Sequence, residues 1–344
     1  MKGNRTGYSI AIVGSTILKG KELREVLVEK RFPVKKMRLL DCKEGGELTE
    51  FDGEPKLVQK IGEDSFDGVD IAFFCGDPAE TAKYLPWAEK KGFIAIDLSQ
   101  APPPKKETPI IVIGVNEGEI PKNRRIIRNP HPITISLSTI LYLLQRAFGI
   151  QYSVCTVFQP TSEYGEEGMD ELFTQTIGVL NFKKAAGSIF PQQLAFNLIP
   201  RVKKPYAKRY IDYESVIINE IRAVLGEEFP PLTLSLIQAP IFHSHPISMF
   251  VTLQSEPTTE EVESQLTNRQ LTTLTTLLQD PLSPTPVEAA SSDTINLGRV
   301  RRDKQLARGY WLWMVTDNLR RGCALNAVSI AEFLISAGNR KGSS

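Results

Sequence analysis

The chain has 344 residues, of which 41 are Lys or Arg and 40 Asp or Glu, giving a formal net charge of +1. This length supplies two domains or one large one, and the balanced charge argues against a general nucleic-acid or polyanion surface. No apolar run approaches the ~20 residues a membrane span needs. The polar residues 1–7 lack an apolar signal core, so the expected compartment is the cytoplasm. Cys42, Cys75, Cys155 and Cys323 show no CxxC spacing, so free and mostly buried thiols are expected.

Residues 8–13 read as an apolar strand, followed by Gly14-Ser15-Thr16-Ile17-Leu18-Lys19-Gly20 and a helix to about residue 31. Strand, glycine loop and helix in that order open a dinucleotide-binding unit, because glycines let the backbone approach a pyrophosphate at the helix N-terminus. Ile17 stands where a glycine is expected, and a β-branched side chain takes up room and tolerates positive φ badly. A plain βαβ turn with an empty phosphate pocket is therefore the competing reading. The next strand, 37–41, ends in Asp41, near the spacing of a ribose-binding acid. Residues 47–51 and 56–60 suggest a hairpin around Asp52-Gly53. A strand at 70–75, a single helix at 78–91 and a strand at 93–98 follow, then a proline-rich surface loop at 101–108. Strands at 110–115 and 125–127 finish the first domain. The alternation implies a parallel, doubly wound sheet. The basic runs at 122–125 and 203–209 read as solvated loops.

The stretch Ile126-Ile127-Arg128-Asn129-Pro130-His131-Pro132-Ile133-Thr134-Ile135 joins a strand to a helix. Pro130 and Pro132 push Asn129 and His131 toward extended geometry, and Pro132 suits the first helical position. The helix runs to about residue 149 with Leu137, Ile140, Leu141 and Leu144 on one face. The joint contains no nucleophile. A strand at 151–158 leads to an amphipathic helix at 165–180, with Met169, Leu172, Phe173, Thr176, Ile177 and Leu180 on one side. Residues 182–210 are loop-rich, and a helix at 214–225 stops at Gly226. Strands at 232–238 and 247–253 flank Pro240-Ile241-Phe242-His243-Ser244-His245-Pro246. Residues 258–279 read as helical, and strands at 295–301 and 310–316 close a mostly antiparallel sheet. The last helix, 318–337, turns Leu325, Val328, Ala331 and Ile335 inward, and 338–344 form a mobile tail.

Several blocks together carry a resemblance: Glu63-Asp64-Ser65-Phe66-Asp67-Gly68-Val69-Asp70, Phe190-Pro191-Gln192-Gln193-Leu194-Ala195-Phe196-Asn197-Leu198-Ile199-Pro200, Pro284-Thr285-Pro286-Val287-Glu288-Ala289-Ala290, and Thr316-Asp317-Asn318-Leu319-Arg320-Arg321-Gly322 with its continuation to Val328. Over nearly its whole length the chain resembles the aspartate-semialdehyde dehydrogenase family. The resemblance implies an α/β fold: a Rossmann-type doubly wound N-terminal domain of residues 1–132 plus 318–344, and an α+β dimerisation domain of residues 133–317 with a mixed or antiparallel sheet. It also implies a homodimer. The family reaction converts aspartyl phosphate and NADPH reversibly to the semialdehyde, NADP and phosphate through a thioacyl enzyme. That chemistry needs a thiolate favoured by a helix N-terminus and a nearby His, arginines that grip a carboxylate, and a glycine turn for the cofactor phosphates.

Carried over residue by residue, the nucleophile position holds Pro132, the general base is His245, and the glutamine after the long strand is Gln159. The substrate arginine seven residues before the base is Gln238, and the other falls on or next to Pro103. An acid–lysine pair becomes Tyr213 and Val216. The second cofactor loop reads Cys75-Gly76-Asp77-Pro78, where Asp77 is expected to be a buried anion that repels phosphate. Ser162 and Gly165 fit the family pattern, whereas Glu163 and Tyr164 fill positions that are usually small. Gly14, Thr16, Gly20 and Asn318 remain for a cofactor, so the cofactor expected is NADP or none.

The reading this favours is a non-catalytic homodimeric paralogue, with a small-molecule ligand in the former active-site cleft left open. An NAD(P)-dependent semialdehyde oxidoreductase with altered substrate or mechanism is the alternative. A third reading gathers His131, His243 and His245 into one cleft, His243 and His245 sharing a face if their segment is extended. Three imidazoles would suffice for zinc, against the plainer view of unrelated polar residues lining an old cleft.

Overall fold

The computed structural model describes residues 7–42, 45–102, 105, 108–121, 123–183, 187–200, 212–267, 271–274 and 283–339. The chain divides into two compact units, Met1–His131 with Cys323–Ser344, and Pro132–Gly322. The expectations for Lys122, for Pro103, for 203–209 and for the last five residues lie outside the described residues. Among the described residues, no helix is long and apolar enough to cross a membrane.

In the first unit, β1 (Tyr8–Val13), α1 (Leu18–Glu29) and β2 (Val34–Asp41) are followed by a hairpin of β3 (Leu48–Phe51) and β4 (Glu54–Lys60). Asp52 and Gly53 take φ of 53° and 73°, the two left-handed positions that a type I′ hairpin turn requires. Then come β5 (Ile71–Phe74), α2 (Pro78–Tyr84), α3 (Trp87–Lys91), β6 (Ile94–Asp97) and β7 (Ile126–Arg128). The sheet order is β3-β4-β2-β1-β5-β6-β7, parallel except for the hairpin. Each central strand divides its side chains between two cores. Ile10, Ile12, Ile71 and Phe73 pack with Leu23, Val26 and Leu27 of α1, while Ala11, Val13, Ala72 and Phe74 pack with Phe66, Leu85 and Phe93. Burial on both faces is why these strands read as unbroken apolar runs.

Two expectations fail here for local reasons. The helix predicted over 78–91 is broken, because Pro86 cannot continue α2 and instead caps α3. Residues 110–115 make only an isolated bridge at Ile110. Side-chain amides take over the ladder there: Asn116 accepts from the Val112 amide and donates to the Ile110 carbonyl, and Asn326 accepts from the Ile113 amide and donates to the Ile111 carbonyl.

The second unit begins with α4 (Pro132–Phe148), β8 (Ile150–Gln159), α5 (Gly165–Leu180), α6 (Tyr213–Leu225), β9 (Leu232–Gln238) and β10 (His245–Leu253). It continues with α7 (Thr259–Leu266), β11 (Thr272–Leu274), α8 (Pro286–Ala289), β12 (Ile295–Arg302) and β13 (Gly309–Thr316). The six-stranded sheet has the order β11-β12-β13-β10-β8-β9 and is mixed, its outermost pairs parallel and its centre antiparallel. One face packs on α4, α6 and α7, through Leu137, Ile140, Ile217, Ile221, Val262 and Leu266.

Three further differences appear. The helix predicted over 258–279 stops at Leu266: Thr267 turns extended, and Thr272 enters β11 instead. The stripe on α5 is only partly buried: Leu172 is enclosed, whereas Phe173 is 58% and Leu180 66% exposed. Its buried positions are Gly168, Leu172 and Gln175. Glu171 accepts from the amides of Ser188, Ile189 and Phe190, and Gln175 from those of Leu194 and Ala195, so polar side chains hold the loop that follows. Finally, the helix predicted from 318 begins only with α9 (Leu325–Asn339), which belongs to the first unit. Before it, Asp317 Oδ1 accepts from the Leu319 and Arg320 amides, and a π-type turn covers Arg320–Ala324.

Replacing Gln175 with Ala leaves two loop amides without their acceptor and is expected to lower the unfolding free energy by about 2 kcal/mol, read by urea denaturation. A Cβ at Gly20 would meet the Gly14 carbonyl oxygen and come within 2.8 Å of Ser15 Cα. Gly20→Val is therefore expected to lower stability by roughly 1–3 kcal/mol in the same measurement.

Candidate functional site

Four strands of the second sheet end their apolar alternation in a polar residue at the same level. Gln159 pairs with Gln238 across β8 and β9, and His245 pairs with Thr316 across β10 and β13. The β8–β10 register sets Val157 opposite Ile247, and continuing it two residues brings Gln159 beside His245. Paired residues share a face, and each of the four lies two positions beyond a core residue, namely Leu236, Val157, Ile247 and Met314. The row Gln238–Gln159–His245–Thr316 therefore faces the side covered by α4. All four are buried.

The loop after β8 closes on this row. Thr161 and Ser162 donate their amides to the carbonyls of Ile241 and Phe242 at 2.8 and 3.0 Å. This places the buried Glu163 carboxylate 3.4 Å from His245 Nε2. Burial, then Glu163, pushes the Tyr164 hydroxyl well above its ordinary pKa, and the same two causes raise Tyr213 at the start of α6. Val216, by contrast, stands 36% exposed on α6. Asn318 has a structural engagement: its Oδ1 accepts from the Ser244 amide at 3.0 Å and its Nδ2 donates to Ser162 Oγ at 3.0 Å. Gln238 Nε2 donates to the Gln159 carbonyl at 2.9 Å and to the Ala239 carbonyl at 3.3 Å.

Pro132 occupies the first position of α4 and is buried against Gly322, where an added Cβ would come within 2.8 Å of Pro132 Cβ. Behind it, Ser136 and Thr139 donate to the carbonyls one turn back, and Thr134 donates to the buried Glu220 carboxylate at 2.8 Å. The residue at this helix start carries no sulfur. Burial raises the other candidate thiols: Cys75 goes well above the usual range, Cys155 to about 12 and Cys42 to about 11.

The grouping of three histidines is corrected. Ser244 takes φ of 71°, so residues 243–245 are not extended and the two imidazoles do not share a face. Among the described residues, no group of three His, Cys, Asp or Glu is placed to hold a metal.

In the first unit, the switch point lies at the ends of β1 and β5. Gly14 has φ of 75°, and a Cβ there would sit 2.7 Å from the Gly76 nitrogen, so only glycine permits this approach. Thr16 donates to Asp41 at 3.1 Å, holding the acid at the end of β2 where a ribose would lie. Two expectations change. Ile17 caps α1 with φ of −80°, so it carries no left-handed strain, although it is 42% exposed at the helix start and offers no capping oxygen. Asp77 is exposed rather than buried, and its Oδ1 accepts from the Ala79 and Glu80 amides of α2. Those amides are thereby already satisfied. The turn and Asp41 fit the ribose end of a dinucleotide, while Ile17 and Asp77 occupy the helix starts that would face its phosphates.

Sequence reasoning did not single out Thr316. The signal existed, since Gln238, Gln159, His245 and Thr316 each end a run of alternating apolar residues, but the pairing that lines them up does not follow from spacing alone.

The comparisons agree with this geometry. The family described as "Semialdehyde dehydrogenase, NAD binding domain" matches residues 9–123, and "Semialdehyde dehydrogenase, dimerisation domain" matches residues 141–321. The aspartate-semialdehyde dehydrogenase of Bacillus subtilis (strain 168) is 31% identical over 337 residues, covering 95% of this chain and 97% of its own length. The crystal structure of aspartate semialdehyde dehydrogenase II of Vibrio cholerae complexed with ASA has a TM-score of 0.89 and 32% identity, over 96% of this chain and 99% of that one. With its doubly wound first unit, its mixed-sheet second unit and these matches along both, the chain belongs to the aspartate-semialdehyde dehydrogenase family.

Proposed function

We propose that this chain is a non-catalytic homodimeric member of the family, retaining its architecture without the covalent step. The observation that carries this reading is Pro132 at the start of α4, the position to which the resemblance assigns the nucleophile. A proline side chain has no atom that can attack an acyl phosphate or an aldehyde. Gln238 supports the reading, because its only donor group is bound to main-chain carbonyls and it carries no charge for a substrate carboxylate. The raised thiols support it as well, since a group titrating near 11 or 12 is almost wholly protonated at neutral pH.

The dimerisation-domain match supports a homodimer. So do the exposed Phe173, Ile177 and Leu180 of α5, and Tyr152 and Val154 on the sheet face away from α4. For the cofactor, we read Gly14, Thr16, Gly20 and Asp41 as a weak dinucleotide site. A bound dinucleotide would supply a hydride acceptor, but Pro132 offers no thiolate to form the thiohemiacetal from which a hydride could leave.

Phosphate-dependent reduction of NADP by aspartate semialdehyde, assayed beside the Vibrio cholerae enzyme, is expected to run on the order of 10⁴-fold or more slower. Pro132→Cys alone is expected not to restore it, because Gln238 provides no clamp. Turnover near the relative's level would overturn the reading. Iodoacetamide at neutral pH is expected to alkylate the native chain at less than about 1% of the rate of a free cysteine, by mass spectrometry, with Cys42 the first to react.

A further inference from the structure

The Gln238 amide has one orientation open to it. Its Nε2 faces the carbonyl oxygens of Gln159 and Ala239, and reversing the amide would set Oε1 against both. Oε1 is therefore the free end. It is buried, Gln238 being 1% exposed, and no donor among the described residues reaches it. At the other end of the row, Thr316 Oγ1 is likewise buried without a hydrogen-bond partner. Buried polar atoms left unsatisfied are rare because each carries a desolvation penalty with no return. Other buried oxygens among the described residues, as at Ser15, Thr81 and Ser138, also lack a partner. Gln238 and Thr316 differ in standing at the two ends of one row, about 14 Å across by strand spacing, and so offer a ligand two free polar atoms.

The chemistry of the free atoms selects the ligand. A carboxylate set against Gln238 would bring acceptor to acceptor. An N–H group would instead donate to Oε1, at the Gln238 end of the row. We propose that this site takes an uncharged ligand of the primary-carboxamide class, its N–H₂ donating to Gln238 Oε1 where the family substrate presents a carboxylate. The inference rests on the reading above only in taking this row as the former substrate site.

The test compares two molecules of one size, succinamide and succinate, titrated against the full-length protein by saturation-transfer NMR. Succinamide is expected to bind at least roughly tenfold more tightly. Gln238→Arg is expected to reverse the order. Gln238→Leu, checked for native circular dichroism, is expected to abolish the preference even if the arginine variant does not fold. Equal binding, tighter succinate, no binding of either at ~20 mM, or a preference surviving in Gln238→Leu would each overturn the proposal. Turnover of aspartate semialdehyde with the amide preference intact would remove the non-catalytic reading alone. A lost preference without turnover would remove only this one.

Discussion

The second unit is governed by what happens where its core stops. The face formed by Leu236, Val157, Ile247 and Met314 packs on α4, and two residues further each of those strands presents Gln238, Gln159, His245 or Thr316. The strand pairing leaves these four no choice of neighbour, because a one-residue slip would turn every apolar partner to the other face. The helix that packs on this core starts with Pro132, and the polar strand ends are brought together in a closed setting. The Thr161–Tyr164 turn, pinned on Ile241 and Phe242, then adds Glu163 beside His245.

Polar side chains do more of the holding than the apolar pattern suggests. Asn326 and Asn116 replace a strand ladder over 110–113, Glu171 and Gln175 hold the loop after α5, and Asn318 ties Ser162 to the Ser244 amide. Each satisfies buried or half-buried backbone that would otherwise lack a partner. Gln238 Oε1 and Thr316 Oγ1 are left unpaired, as are Ser15, Thr81 and Ser138 oxygens elsewhere, but these two belong to one row of polar strand ends. Unsatisfied groups that persist in an otherwise well-bonded structure are more readily understood as binding features than as architecture.

Much of this was legible in the sequence, for identifiable reasons. Tyr8–Val13 is a short apolar run, Gly165–Leu180 carries helical periodicity, and Asp52-Gly53 is a turn signal with one geometric solution. What was missed depended on contacts between distant residues. Nothing near Ile110 announces that Asn326 will take its neighbours' hydrogen bonds, and the spacing of the α5 stripe does not say which of its residues stay exposed. Ser244 in the left-handed region undid the alignment of His243 with His245, a single backbone angle that the residue type does not predict. Pro132, Gln159 and His245 were singled out by carrying the family pattern over residue by residue. Thr316 came only with strand register, and the direction of the Gln238 amide only with its hydrogen bonds.

The central claim is that this architecture forms no covalent acyl intermediate. Intact-mass spectrometry, followed by peptide mapping after incubation with β-aspartyl phosphate, tests it without relying on turnover. The account predicts an unchanged protein mass at every time point. An added aspartyl group mapped to any side chain around Pro132, Gln159 or His245 would contradict it.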